Sequence, residues 1–323
     1  MGIIGLSCAW RLAQRGDAVT VFDAREAARE ASWAGAGMLA PGGEIESASP
    51  LAAAMLDSLA AYPEFVRELE EESGCEIDFR RSGAVEVAFG DAEAEALESK
   101  ALRQAKMGIR SERCGHDGRE ARFYPDDAVV DPRDVTRALL KACRARGVSI
   151  REYEPVLEIE PLGKAVRTAA GKHSTDGVVI AAGAWSSSLL EGLPRTMPVR
   201  GHLVSWNLSP GLLDPILRHG HTYLLQRRAG TLIAGATTEQ VGFNREIDEA
   251  AVLDLRQRAG ELLPALKALA PSERWNGFRP GIEGDAPAIG RVPGTSVWTA
   301  FGHYRNGILL APDTARRLLH TQG

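Results

Sequence analysis

Cysteine is scarce in this chain, with Cys8, Cys75, Cys114 and Cys143 the only four among 323 residues. They are widely spaced, with no CxxC pair and no neighbouring histidine pair, which argues against a zinc site and a disulfide framework. No metal is expected, and reduced thiols in a cytoplasmic protein are the default. No apolar run reaches the roughly 18 residues of a membrane span. The start lacks a basic n-region, and Arg11 interrupts its short apolar run, so it does not read as a signal peptide. Leu6 stands where N-myristoylation needs Ser or Thr. There is no excess of positive charge either. Lys and Arg total 38 against 43 Asp and Glu, a net charge of −5, which argues against a nucleic-acid or anionic-membrane partner. There is no internal repeat and no low-complexity tract. With no GxSxG elbow, Ser186-Ser187-Ser188 reads as a helix start rather than a nucleophile site. What is present is a globular composition, 44% hydrophobic and 25% charged, long enough for two domains with their own cores.

Five segments carry chemistry. Gly2-Ile3-Ile4-Gly5 running into Leu6-Ser7-Cys8-Ala9-Trp10 reads as the back half of a GxGxxG turn opening a helix. The front half, an apolar strand and the first glycine, is absent from the sequence, and we expect the reading frame to start upstream of Met1. The helix should stop at Gly16, a strand should cover Ala18–Phe22, and Asp23 should close it. That carboxylate lies 18 residues beyond Gly5, near the roughly 20 expected for the acid that accepts from a ribose hydroxyl. The run from Ala31 to Pro41 is too rich in small residues for a packed strand and would let a flat ligand approach the backbone, while Trp33, Met38 and Leu39 argue for a packed wall. Val178–Ala182 is an apolar strand ending at Gly183 and leading into a short helix. Near the end, Gly277-Phe278-Arg279-Pro280-Gly281 places one arginine in what reads as a rigid turn, a bidentate clamp for a carboxylate. Gly302-His303-Tyr304-Arg305-Asn306-Gly307 then opens into an apolar run and a helical tail, pointing backbone N–H groups at something negative.

The remaining pattern alternates and then changes character. Leu51–Ser73 reads as an amphipathic helix pair broken at Pro63, followed by strands near Cys75–Phe79 and Gly83–Phe89 joined in a hairpin around Arg80-Arg81-Ser82. Helices follow over Asp91–Met107, stopped by Gly108, and from the Asp131-Pro132 cap to Arg146, stopped by Gly147. Strands Val148–Tyr153 and Val178–Ala182 flank a hairpin near Gly171. Strands Tyr223–Leu225 and Thr231–Ala234 are joined through Arg228-Ala229-Gly230, and a helix near Glu246–Leu263 ends at Pro264. The fold class is mixed α/β. A Rossmann-like nucleotide domain is expected from 1–45, 126–200 and 278–323, and a mostly antiparallel substrate domain from 46–125 and 201–277.

In the order of these segments, Gly2 to Pro312, the chain resembles the D-amino acid oxidase family of flavoenzymes and, most closely, the glycine oxidases of thiamine synthesis. The resemblance implies FAD as cofactor, held by Gly2, Ile3, Ile4, Gly5, Asp23, Ala24, Ala31, Ser32, Ala36, Gly37, Met38, Val156, Gly183, His303, Tyr304, Arg305, Asn306, Gly307, Ile308 and Leu309. It implies Arg279, Tyr223 and Arg305 as the active-site side chains. Arg279 would hold the substrate carboxylate, and the Gly235-Ala236-Thr237-Thr238 turn would form the substrate wall, with Thr238 replacing a larger apolar residue. His202, His219 and His221 are expected to serve local hydrogen bonds. The implied reaction is oxidation of glycine or a small amine to the imine, then glyoxylate and ammonia, with O2 reduced to peroxide. The implied assembly is a homo-oligomer, a tetramer. Two alternatives stand beside this: a D-amino acid dehydrogenase or sarcosine-type oxidase of the same fold, and a flavin-free, non-catalytic protein lacking the first strand. Because a ribose contact acts on cofactor affinity, Asp23→Ala should weaken FAD binding more than it alters turnover of the flavin-loaded enzyme. Titration of apoprotein with FAD checks this, and equal affinities in the two proteins would refute it.

Overall fold

The structure is a computed structural model and describes residues 1–284 and 286–321. The first helix, Ile3–Arg15, stops at Gly16, whose φ of +101° is open to glycine but strained for other residues. It buries Leu6 and Trp10 completely, and it packs against the helices Pro132–Ala145 and Ala311–His320. Beside it, Thr20–Phe22 pairs in parallel with Ser149–Arg151. A second parallel pair, Val178–Ile180 with Val297–Phe301, is extended antiparallel by Ala288–Arg291. Among the described residues these remain separate sheets. Thr20–Phe22 and Val178–Ile180 each keep one edge without a strand partner, and both strands line the same large cavity.

The largest sheet has eight strands, in the order Glu273–Ile282, Thr196–Asn207, Thr231–Gly235, Thr222–Gln226, Ile216–His219, Ala84–Val87, Arg119–Tyr124 and Glu112–His116. All its pairings are antiparallel except that of Ala84–Val87 with Ile216–His219. One face buries Val204, Trp206, Leu224 and Leu232 against the helix Glu249–Leu262. The other face carries Leu203, Leu225, Ile233 and Trp275 and meets the small-residue segment around Ala34 and Ala36. The sheet joins residues 84–124 to 196–282. Its two long strands cross the boundaries drawn at residues 200 and 277.

Several local expectations need correction. Leu51–Ser73 is not a helix pair: one helix runs Pro50–Ser73 with Pro63 inside it. Leu59, Tyr62, Phe65, Val66 and Leu69 form one continuous buried stripe across the proline, and burial of that stripe outweighs the roughly 3 kcal/mol a helical proline costs. Phe79–Arg80 and Ala84–Val87 do not form a hairpin. The first pairs with Ala128–Val130 in a small sheet, the second with Arg119–Tyr124 in the large one. Gly83, at φ +77°, redirects the chain between them. The small-residue run folds as a short helix, Ala31–Ala34, and a two-residue strand, Met38–Leu39, paired with Ala128–Val129. Arg279 lies within a ten-residue strand rather than a turn, and Pro280 is tolerated there because the strand is at the sheet edge. No helix among the described residues is long and apolar enough to cross a membrane.

The packing of Pro50–Ser73 generates a stability test. Leu69 is fully buried in the principal core, with Tyr62 and Phe65 in the same cluster. Leu69→Ala should cost about 2–5 kcal/mol in urea unfolding, the range for an aliphatic core truncation. A loss below about 1 kcal/mol would show that this helix is not part of the cooperative core.

Candidate active site

A cavity of about 1280 Å³ runs from the first helix to the large sheet. That exceeds the roughly 300–1,000 Å³ of an ordinary small-molecule cleft and suits an extended dinucleotide. At one end lie Gly2, Ile3, Ile4 and Gly5. The helix they open has no side-chain cap at Gly2, so its positive end faces the cavity. A Cβ on Gly2 would sit 2.9 Å from Ser32 Oγ, and one on Gly5 would sit 3.3 Å from Ala181 Cβ, so the cradle needs bare backbone at both. The Ser32 hydroxyl accepts from the Ile3 N–H at 2.9 Å and ties the small-residue segment to the turn. Asp23 lines the same wall. Its carboxylate accepts from the Met1 amine and, at 2.9 Å, from the Arg25 N–H. Ala24, Ala31, Ala36, Gly37, Met38, Val156 and Gly183 also line the cavity. Gly37 serves packing as well, since at φ +99° a Cβ would lie 2.9 Å from the Val130 carbonyl carbon. These residues fit FAD: an uncapped helix start over bare glycines for the pyrophosphate, and a carboxylate on the same wall for a ribose hydroxyl.

The segment after the last strand forms the opposite wall. His303, Tyr304, Arg305, Asn306, Gly307 and Ile308 line the cavity, and Tyr304 is held at φ +48° with its N–H donating to the Pro280 carbonyl at 3.0 Å. Leu309 does not belong to this wall. The chain has begun to coil there, with the Leu310 N–H donating to the Asn306 carbonyl at 2.8 Å, and the Leu309 side chain is buried in the principal core. Its carbonyl accepts from the Ser58 hydroxyl at 2.7 Å. His303 is buried, and its Nε2 pairs with the Thr314 hydroxyl at 2.8 Å. Burial lowers its pKa to about 3, so the ring is neutral at physiological pH.

Arg279, Tyr223 and Arg305 meet at the sheet end of the cavity. Arg279 donates to the Thr237 carbonyl at 3.0 Å, and among the described residues it has no carboxylate partner. Burial lowers its pKa, with the neighbouring Tyr223 opposing and Arg305 adding to the effect. Burial likewise raises the Tyr223 phenol, while Arg279 and Arg305 pull it down. Arg305 differs from Arg279 in being paired, with Glu44 at 3.3 Å. Glu44 and Gly201, both in the cavity wall, are residues the sequence does not single out. Thr238 is exposed and outside the wall. Thr237 is the buried one of the pair, and none of Gly235, Ala236, Thr237 and Thr238 lines the cavity, so the turn does not form the expected wall. His202 pairs through Nδ1 with Glu239 at 2.7 Å and His219 with Glu93 at 3.0 Å, local contacts as anticipated, while His221 is exposed. Among the described residues no cluster of His, Cys, Asp and Glu could hold a metal ion.

Comparison with known proteins gives the same picture. The model of the DAO family, FAD dependent oxidoreductase, matches residues 1–320. A glycine oxidase of Bacillus licheniformis is 34% identical over 98% of this chain and 89% of its own length. The bifunctional protein ThiO/ThiG of Synechocystis is 36% identical over 97% of this chain and 49% of its own. The crystal structure of glycine oxidase from Geobacillus kaustophilus superposes with a TM-score of 0.94 at 29% identity, covering 99% of this chain and 92% of that one.

The depressed pKa of His303 makes stability pH-dependent in a defined direction. Between about 6.5 and about 3 the unfolded chain protonates this ring while the folded one does not, so its contribution is complete above pH 6.5 and is lost as pH falls. The loss of unfolding free energy from pH 7 to pH 5 should be about 2 kcal/mol smaller in His303→Gln than in the parent. Urea unfolding at the two pH values measures it, and equal losses would place the ring in contact with solvent.

Proposed function

This chain belongs to the DAO family of FAD-dependent oxidoreductases, and from that premise we propose that it oxidises glycine, or a similarly small amino acid or amine. Glycine, dioxygen and water give glyoxylate, ammonia and hydrogen peroxide, or the imine passes on to thiazole formation in thiamine synthesis. The observation that carries this reading is Arg279. A guanidinium buried in a cavity, with only a backbone carbonyl as hydrogen-bond partner among the described residues, is costly unless an anion completes it, and its planar fork matches a carboxylate. The glycine oxidases among its relatives and structural neighbours supply the reaction.

The cofactor belongs against Gly2–Gly5, Asp23, Ala31–Ser32, Ala36–Met38, Gly183 and His303–Ile308. Held there, FAD would supply the two-electron acceptor for the Cα–N oxidation, with dioxygen as the final oxidant. The chain's own residues do the rest. Arg279 pins the carboxylate and so fixes which Cα–H faces the cofactor, an orientational contribution rather than a chemical one. Tyr223 stays protonated and offers a hydroxyl to the same carboxylate. Glu44 is already paired with Arg305, and neutral His303 is engaged with Thr314, so neither is a free proton acceptor. A substrate entering with a neutral amine needs none. The tetramer implied by the family is testable by light scattering.

Arg279→Lys keeps the charge but loses the fork. It should retain the flavin spectrum and lose roughly 2–5 kcal/mol in kcat/KM for glycine, the cost of breaking one partner of a buried charged pair. A peroxide-coupled assay over glycine, sarcosine and D-alanine measures both the loss and the substrate ranking. If the variant handles glycine like the parent, Arg279 is structural and the amino-acid oxidase reading falls. If turnover proceeds without peroxide, the enzyme is a dehydrogenase.

A further inference from the structure

Arg279 and Tyr223 reach their positions because the sheet beneath them has no side chains. Arg279 stands on the edge strand opposite Val199, and two residues further along these strands Gly277 faces Gly201. The next strand presents Gly235, which is paired with Leu203 on one side and with Tyr223 on the other. Residues 277, 201 and 235 therefore leave three adjacent strands bare on the cavity face, which the period-2 alternation places on the same side as Arg279 and Tyr223. A Cβ built on Gly201 would lie 2.6 Å from Arg279 Cζ and would overlap both terminal nitrogens. One built on Gly235 would lie 2.9 Å from Tyr223 Cε1 and would overlap its hydroxyl. Gly277 has a different task, since a Cβ there would collide with Ala34.

We infer that Gly201 is a positioning residue for substrate binding, holding the Arg279 guanidinium flat against the strand by having no side chain. The inference rests on the assignment of Arg279 as the carboxylate clamp. Two anchors then set the guanidinium in place: bare backbone beneath it and the Thr237 carbonyl at 3.0 Å beside it. Thr237 is itself fixed, because its hydroxyl accepts from the His202 N–H at 2.8 Å and donates to Glu239, which also pairs with Arg200. The backbone at Gly201 is not in the left-handed region, so alanine is sterically allowed there. What its methyl would meet is the far end of a flexible side chain, which moves aside. Gly201→Ala should therefore fold normally and misplace one functional group.

The test compares parent, Gly201→Ala, Arg279→Ala and the double variant, each loaded with FAD. Calorimetric titration gives affinity for glycolate, a non-oxidisable two-carbon carboxylate, and the peroxide assay gives KM and kcat for glycine. Gly201→Ala should keep the parent's melting temperature and FAD affinity while weakening glycolate binding and raising the glycine KM on the order of 10- to 100-fold, the scale for a displacement of about 1 Å. In the Arg279→Ala background it should have no further effect, because it acts through that side chain. Parent-like glycolate affinity in Gly201→Ala, with binding lost in Arg279→Ala, would overturn this inference alone. Additive losses in the double variant would overturn it too, by showing general damage. Unchanged binding in Arg279→Ala would sink the clamp and the inference with it.

Discussion

The guanidinium of Arg279, which among the described residues has no carboxylate partner, is the constraint around which the sheet end of the cavity is arranged. An arginine removed from water without a carboxylate is tolerated only where its donors are partly met and the remainder is left for a ligand. Here one donor goes to a backbone carbonyl, the Glu44 carboxylate in the same wall is taken by Arg305, and bare backbone lies beneath. Arg305, at the same end of the cavity, shows the alternative: with Glu44 beside it, it is electrostatically complete. The two arginines in one cavity thus differ in their pairing among the described residues, a carboxylate for Arg305 and a backbone carbonyl for Arg279.

The cofactor half relies on a different device, the positioning of bare backbone and helix ends. Gly2 and Gly5 press against Ser32 and Ala181, and Gly35 presses against Ile308, with a Cβ there 2.7 Å from the Ile308 Cδ1. Segments distant in sequence thus come together through missing side chains. Where a polar side chain does enter this region, as with His303, its ring is neutral and its hydrogen bond internal. The ring therefore adds no charge to the wall.

Much of the cofactor side was legible in the sequence because its signals are local. A glycine turn before a helix, an acid closing a strand and a strand ending at Gly183 each lie within a few consecutive residues, and all of these line the cavity. Leu309 misled because one further residue along a coiling chain points the other way. Arg279 was found by its neighbours but assigned to a turn, since Pro280 usually ends a strand unless the strand is at an edge. Pro63 misled in the opposite sense, because tertiary burial kept the helix whole. Thr238 and Gly201 were beyond reach of the sequence. Which of two adjacent threonines is buried, and which glycine lies under an arginine, depends on register between strands separated by about eighty residues along the chain.

The cavity wall draws on separate stretches that include residues 1–5, 17–24, 34–38, 173–185, 277–280 and 300–308. No contiguous stretch of chain builds even half of it, so no partly folded intermediate holding a single sheet or helix pair can present a cofactor site. A ligand that binds only the finished arrangement stabilises that state alone, by RT ln(1 + [L]/Kd). Flavin colour is therefore a readout of long-range assembly. A substitution in the distant helix Pro50–Ser73, touching neither flavin nor substrate, would bleach the protein whenever it loosens the docking of the first and last helices.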